Sequence, residues 1–343
     1  MEERSMRIGV VGYGTGGRLF HVPYVVAAEG VELVGVVTRS PERTQQAQQD
    51  VPGLAVYDSM AELIDAGVDA VTITTPPETR RELVLEAIGR GVHVIADKPF
   101  APDPDGAREL VAAAAEAGVL LSVYQNRRWD ADIRTLAAVL PSVGDVWRVE
   151  SRFDLDEPGS LDGGPTGGLL RDMGAHLFDQ MIWLFGPVAR VTAHLDWIDQ
   201  ADGPTDAGFV VSMTHESGVY TTVSSSKCNR IEERSLRVYG SVGSFTSNGT
   251  DVQTRQIKAG RRPADDAAGW GYEDESRWGV LHTDDGKRSV PSEQGCYQEF
   301  YRQFGAAVDA GAPQPVPASE AIATIEVLAA ARRSALEGVT VEL

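Results

Sequence analysis

Cysteine is nearly missing from this chain of 343 residues: Cys228 and Cys296 are the only two, and no CxxC spacing occurs. Their scarcity argues against a disulfide-stapled fold or a thiolate metal centre and fits a reducing cytoplasm. Long apolar runs are missing too. The N-terminal MEERSMR is charged and followed by a short apolar run, and no stretch approaches the ~20 apolar residues of a membrane span. Positive charge is in deficit, 31 Lys and Arg against 50 Asp and Glu, which gives a net charge of −19. Such a field repels polyanions and argues against nucleic acid or anionic membrane surfaces as partners. It still admits a small anionic ligand, because a few arginines or backbone N–H groups hold a phosphate inside a net-negative protein. What remains is ordinary: 42% hydrophobic and 24% charged residues, enough length for two domains, and the composition of a folded cytoplasmic protein.

From Arg7 to Val123, short β-branched runs alternate with helix-forming segments. The runs are Arg7–Val11, Val31–Val37, Leu54–Tyr57, Ala70–Thr74, Val92–Ala96 and Val119–Val123; between them lie Pro41–Asp50, Met60–Asp65, Glu78–Arg90 and Asp103–Ala117. This rhythm predicts an α/β Rossmann domain, a doubly wound parallel sheet of six strands. After Trp129 it changes to consecutive strand-like runs, VWRVESRFDL, ARVTAHLDWI, AGFVVSMTH and GVYTTVSSS, which predict an α+β domain with a large, mostly antiparallel sheet. One helix from about Asp172 to Phe185 interrupts it, and another from about Ser319 to Leu336 closes the chain. The stretch from Gly249 to Pro291, dense in Asp, Gly, Arg and Trp, reads as a long excursion of turns. The expected division is residues 1–123, a nucleotide-binding domain, and residues 124–343, a domain for substrate and oligomerisation.

Directly after the first strand comes Gly12-Tyr13-Gly14-Thr15-Gly16-Gly17, with G-x-G-x-x-G spacing through Gly12, Gly14 and Gly17. The first glycine permits a tight turn, the second lets a pyrophosphate approach the backbone, and the third lets helix and strand pack closely. In isolation the motif equally describes a glycine-rich turn; its place after strand one of a βα series points to a dinucleotide. Strand two ends Thr38-Arg39-Ser40, where an NAD site usually carries an acid for the ribose 2′-hydroxyl. Here Arg39, with Thr38 and Ser40, offers a cation and hydroxyls suited to a 2′-phosphate, so NADP(H) is expected over NAD(H); the alternative is that Arg39 is a solvated loop residue. Pro23 breaks the next helix and either aims His21 and Phe20 toward the nucleotide or leaves His21 structural.

Strand five ends in Asp97-Lys98-Pro99, and ligands of doubly wound sheets sit beyond the carboxyl ends of strands. Lys98 is therefore the candidate general acid/base. Asp172 and His176, four apart, share one helical face and suit two adjacent hydroxyls of a polyol; equally, Asp172 is a helix cap and His176 unrelated to it. No third ligand with zinc spacing accompanies them, so no metal is expected.

Taken together, the glycine turn, Asp97-Lys98-Pro99 and the Asp172 to His176 pair resemble the Gfo/Idh/MocA family. GYGTGGRLFHVPYV, LLSVYQNRRWD, TGGLLRDMGAHLFDQ and KAGRRPADDAAGWG are similar to its NADP-dependent scyllo-inositol dehydrogenase branch. The resemblance implies an oxidoreductase of a cyclic polyol or sugar, with hydride exchanged at nicotinamide C4, Lys98 moving the proton, and His176 and Asp172 binding the reacting and neighbouring hydroxyls. It also implies that Thr75, Pro76 and Asp97 help bind the cofactor, that Asn126 and Trp129 lie near the substrate, and that the chain forms a homodimer or homotetramer through its C-terminal sheet. Two departures stand out: Asp97 where the family usually has Glu, and Thr75-Pro76-Pro77-Glu78-Thr79-Arg80 where Asn and His commonly follow the proline. The family also contains cofactor-binding regulators and glycosidases that borrow the nicotinamide, both alternatives to a dehydrogenase.

Overall fold

A computed structural model describes residues 5–164, 167–201 and 203–343. Two compact units form: Met1–Asn126, Gln256–Trp270 and Cys296–Ala321 make the first, and Arg127–Arg255, Gly271–Gly295 and Ile322–Leu343 the second.

Six strands build the sheet of the first unit: β1 (Met6–Val11), β2 (Val31–Val37), β3 (Ala55–Tyr57), β4 (Ala70–Ile73), β5 (His93–Ala96) and β6 (Leu121–Val123). All pair in parallel in the order β3-β2-β1-β4-β5-β6. Ile8, Val10, Val71, Ile73, Val94 and Ile95 are buried, as a sheet covered on both faces demands. Helix starts are written locally: Ser40 accepts from Arg43 N, Ser59 from Glu62 N and Asp103 from Gly106 N, each capping the helix that follows. Strand order reverses between β1 and β4, so the turns after these strands flank the switch point of the sheet.

Beyond Val11 the chain enters a wide π-type turn, Gly16–His21, in which Val22 N–H bonds Gly17 O, and only then the helix Val22–Ala27. Pro23 sits in the first turn of that helix, where no donor is needed, so the break expected from the proline falls between two helical pieces.

Nine strands form the second sheet: β7 (Val146–Asp156), β8 (Val188–Gln200), β9 (Gly203–His215), β10 (Tyr220–Ser226), β11 (Cys228–Gly240), β12 (Gly243–Gly249), β13 (Gly279–Thr283), β14 (Gly286–Val290) and β15 (Val341–Glu342). Their order is β14-β13-β12-β11-β7-β10-β9-β8-β15, antiparallel except that β10 lies parallel to β7, which makes the sheet mixed. One face packs against the helices Ala175–Phe185 and Ala318–Glu337 through Phe153, Phe209, Met213, Leu177, Met181 and Val327.

Three expectations need correction. The stretch from Gly249 to Pro291 is not only turns: it holds the helix Val252–Lys258 and the strands β13 and β14, and its Trp270 is fully buried against Tyr24. The helices Ala131–Val139 and Gln298–Ala310 were not anticipated, although Ile133, Leu136 and Val139 form a buried stripe at a spacing of three. The interrupting helix begins before Asp172, with a π-type turn over Leu170–Gly174. Among the described residues no helix is long and apolar enough to cross a membrane.

Candidate active site

The glycine turn is built for close approach. Gly12 has φ +109°, a conformation that favours glycine, and a Cβ on Gly17 would run into Gly12 O, which fixes the third glycine as the packing contact between turn and strand. A Cβ on Gly14 would meet no atom within 4 Å, so the middle of the turn faces open space, as a pyrophosphate requires. Thr15 is exposed on it. The Tyr13 side chain goes elsewhere: it is buried, and its hydroxyl donates to Asp50 Oδ2 at 2.9 Å, leaving Tyr13 its backbone to offer a nucleotide. Arg18 grips the same carboxylate at 2.6 and 3.1 Å. Burial raises the Asp50 carboxyl, but the hydrogen bonds from Arg18 and Tyr13 outweigh it and hold the group below its usual range.

At the end of β2, Thr38 is buried and its Oγ1 accepts from Ser40 N, while Ser40 Oγ is occupied as the helix cap. Arg39 is exposed and ties its Nε to Asp58 O at 3.0 Å. The capped helix carries a second exposed cation in its first turn, Arg43, which the sequence reading did not single out.

Beyond β4 and β5, a set of contacts shapes the Lys98 turn. Asp97 accepts Lys98 N on Oδ1 at 2.8 Å and Thr74 Oγ1 on Oδ2 at 3.0 Å. His21 Nε2 stands 3.4 Å from the same Oδ2, a close polar contact without hydrogen-bond alignment. Burial pushes the Asp97 carboxyl up, but His21, Arg80 and Lys98 together hold it far below the usual carboxylate range. Arg80 is buried and donates to Pro99 O at 2.5 Å and Thr75 O at 2.8 Å, clipping the turn after β4 to the turn after β5. The departure at Arg80 therefore has a structural task. Thr75 accepts from Thr79 Oγ1, Pro76 is exposed and Lys98 is half-buried.

In the second unit, Gly168 has φ +96°, and a side chain there would collide with the Asp206 carboxylate. Asp206, buried on β9, accepts Leu170 N at 2.6 Å and pairs with Arg332 at 2.9 Å. Asp206 thus supplies the carboxylate at the helix start, and Asp172, in the first turn, is not the cap. Asp172 accepts instead from Lys227 Nζ at 2.8 Å; that lysine is 6% exposed, and Asp172 is 39% exposed. Lys227 also donates to Ser160 O at 3.2 Å. Nothing in the local sequence announced it. His176 is buried at the start of the following α-helix.

Asn126 is buried at the end of the first unit's N-terminal segment. Trp129 is half-buried in the second unit, its carbonyl accepting from Gln253 Nε2 at 3.1 Å. Its neighbours are engaged in buried ion pairs, Arg127 with Asp251 at 2.9 Å and Arg128 with Asp179 at 2.8 Å. Lys98 and the glycine turn thus share the first unit, and Asp172, His176 and Lys227 the second. Among the described residues, no group of three or more His, Cys, Asp or Glu side chains is arranged to hold a metal.

Comparison with known proteins matches residues 6–125 to the oxidoreductase family's NAD-binding Rossmann fold and residues 143–343 to its C-terminal alpha/beta domain. Among curated proteins, the chain is 34% identical over 337 residues to the uncharacterized oxidoreductase YdgJ of Escherichia coli, covering 94% of each. It is 29% identical to the scyllo-inositol 2-dehydrogenase (NADP(+)) IolW of Bacillus subtilis, covering 99% of this chain and 96% of that one. Among solved structures, the oxidoreductase yvaA from Bacillus subtilis superposes with a TM-score of 0.90 at 29% identity, over 100% of this chain and 99% of the other.

Proposed function

Because the chain belongs to the Gfo/Idh/MocA oxidoreductase family, we propose that it is an NADP(H)-dependent dehydrogenase or reductase of a cyclic polyol or sugar. The observation that carries the reading is the grouping, at the carboxyl ends of β1, β4 and β5, of an open glycine turn with the Lys98 turn that Asp97 and Arg80 hold. Exposed Arg39, in the place of the usual acid, supports the 2′-phosphate, and the name of the Bacillus subtilis relative supports both NADP and a ring polyol.

A bound nicotinamide supplies hydride transfer at C4. Glycine-turn N–H groups would hold the pyrophosphate of the dinucleotide, with Thr75 and Pro76 beside them, and Thr38, Arg39 and Ser40 would meet the 2′-phosphate. In the oxidative direction Lys98 Nζ, in its neutral form, takes the substrate hydroxyl proton; in the reductive direction it returns that proton to the new alkoxide. His176 assists at the reacting hydroxyl, and Asp172, its carboxylate fixed by Lys227, accepts from the neighbouring one. Asn126 and Trp129 complete the substrate contacts.

The sheet face opposite the helices of the second unit suits a second copy of the chain. It carries Val210 and Tyr220, 44% and 42% exposed, among Ser212, Thr222 and Ser224. A screen of inositols, inososes and aldoses with NADP(H) and NAD(H), followed by nicotinamide absorbance, tests the reading. Turnover with a ring polyol and NADP(H) supports it, whereas a strong preference for NAD(H) overturns the role of Arg39. Sugar release without net cofactor change would mark a glycosidase instead.

A further inference from the structure

His21 has no part in the chemistry described above, yet its place in the first unit is specific. It is fully buried, its ring tilted against that of Tyr124 at 4.2 Å, with Nδ1 2.6 Å from the Tyr301 hydroxyl and Nε2 3.4 Å from Asp97 Oδ2. A bare Nε2 lone pair would face a carboxylate oxygen and repel it, so Nε2 is the nitrogen that carries a proton toward Asp97, while Nδ1 and the Tyr301 hydroxyl share the second hydrogen bond. The imidazole thus bridges the Tyr301 hydroxyl and the Asp97 carboxylate.

Asp97 passes this contact on to two places. Oδ1 accepts Lys98 N, which orients the backbone that carries the lysine. Oδ2 accepts Thr74 Oγ1, and a Cβ on Gly16 would lie 2.6 Å from that hydroxyl and 3.5 Å from Oδ2, so the same carboxylate lies beneath the glycine turn. The wide turn at Gly16–His21 brings the imidazole to it: the extra residue in the turn swings His21 inward, and Pro23 restarts the helix one residue later.

We propose that His21 is a positioning residue for Lys98, acting through Asp97 and oriented by Tyr301. The proposal rests on the reading of Lys98 as the acid/base. Outer contacts that orient a working side chain typically carry a tenfold to hundredfold effect, roughly.

The test measures kcat at saturating polyol and NADP(H), nucleotide Kd by fluorescence without polyol, and melting temperature, for Tyr301→Phe, His21→Asn, Asp97→Asn and the double variant His21→Asn/Asp97→Asn. We expect kcat to fall roughly tenfold or more in His21→Asn, with a smaller but clear fall in Tyr301→Phe and nucleotide Kd within about threefold of the parent. The double variant should be no slower than Asp97→Asn, because both changes cut one chain. Losses that multiply in the double variant would overturn the proposal. Parental kcat in Tyr301→Phe would do so as well, and that variant, lacking only a hydroxyl, decides the matter if His21→Asn does not fold. Lys98→Met, run alongside, separates the two readings: an active Lys98→Met defeats the acid/base assignment, whereas an inert Lys98→Met with fully active His21 and Tyr301 variants defeats only the positioning role.

Discussion

Lys227 Nζ donates to Asp172 Oδ2 across 2.8 Å, a nearly buried ammonium holding a partly exposed carboxylate. The two residues are 55 apart in sequence, and Ser160 O accepts a second hydrogen bond from the same ammonium. This pairing fixes one end of the proposed substrate contact and leads to the first prediction.

Replacing Lys227 with Met keeps the bulk and removes the charge. The expected result is a roughly tenfold to hundredfold fall in kcat/KM for the polyol, with nucleotide affinity unchanged. Stability should drop by about 1 kcal/mol, because Asp172 loses one charge-assisted contact but remains able to meet water. Lys227→Arg should recover part of the activity. Steady-state kinetics and thermal melts read both effects.

Arg39→Ala should raise the NADP(H) Kd about tenfold to hundredfold, which corresponds to loss of one charge-assisted contact of about 1.5–3 kcal/mol, and should leave NAD(H) binding nearly unchanged. Titration of both nucleotides by fluorescence checks it. Equal losses for the two would place Arg39 outside the 2′-phosphate contact.

Acid should weaken the second unit through Asp251. Burial raises this carboxyl, but the charges of Arg127 and Arg234 and hydrogen bonds from Arg127 and Thr254 more than offset that and hold it at about 2, against an ordinary 3.8. A folded-state value below the unfolded one adds stability that is complete above the unfolded value and is lost as pH falls toward the folded value. The contribution is about 2 kcal/mol, lost between about pH 4 and pH 2. Asp132, raised chiefly by burial, works in the opposite sense. Asp251→Asn is therefore expected to melt lower at neutral pH, with a shallower fall on acidification; an unchanged slope in thermal melts across that window would refute the linkage.

What the sequence made legible follows the range of each interaction. Ser40, Ser59 and Asp103 cap helices that begin at the next residue, and the glycine turn follows its own strand, so these features can be read from a few adjacent positions. Lys98 was visible because a strand end locates it. By contrast, Tyr301 meets His21 across 280 residues, and Asp206 reaches Leu170 across 36, contacts that only the packed fold defines. The expectation of turns from Gly249 to Pro291 failed because polar, glycine-rich composition concealed a hairpin at the sheet edge and one buried tryptophan. One signal for Lys227 was present in principle: lysine occurs only four times in the chain, at 98, 227, 258 and 287, beside twenty-seven arginines.

The proposed self-association through the sheet face of β9 and β10 gives a further check. Tyr220→Glu with Val210→Glu places charge on adjoining strands β10 and β9 and should convert an oligomer to monomer in light scattering, without loss of the fold by circular dichroism. A parent chain that is already monomeric at micromolar concentration would contradict this interface.

The central claim is that Lys98 moves the proton in an NADP(H)-linked oxidation or reduction of a ring polyol. Its most direct test is single-turnover nicotinamide absorbance of parent and Lys98→Met, with NADP(H) saturating and its binding measured separately. Lys98→Met is expected to bind nucleotide as the parent does and to lose at least about a thousandfold in rate, near the upper range for a proton-transfer residue. Retained turnover with intact nucleotide binding would contradict it.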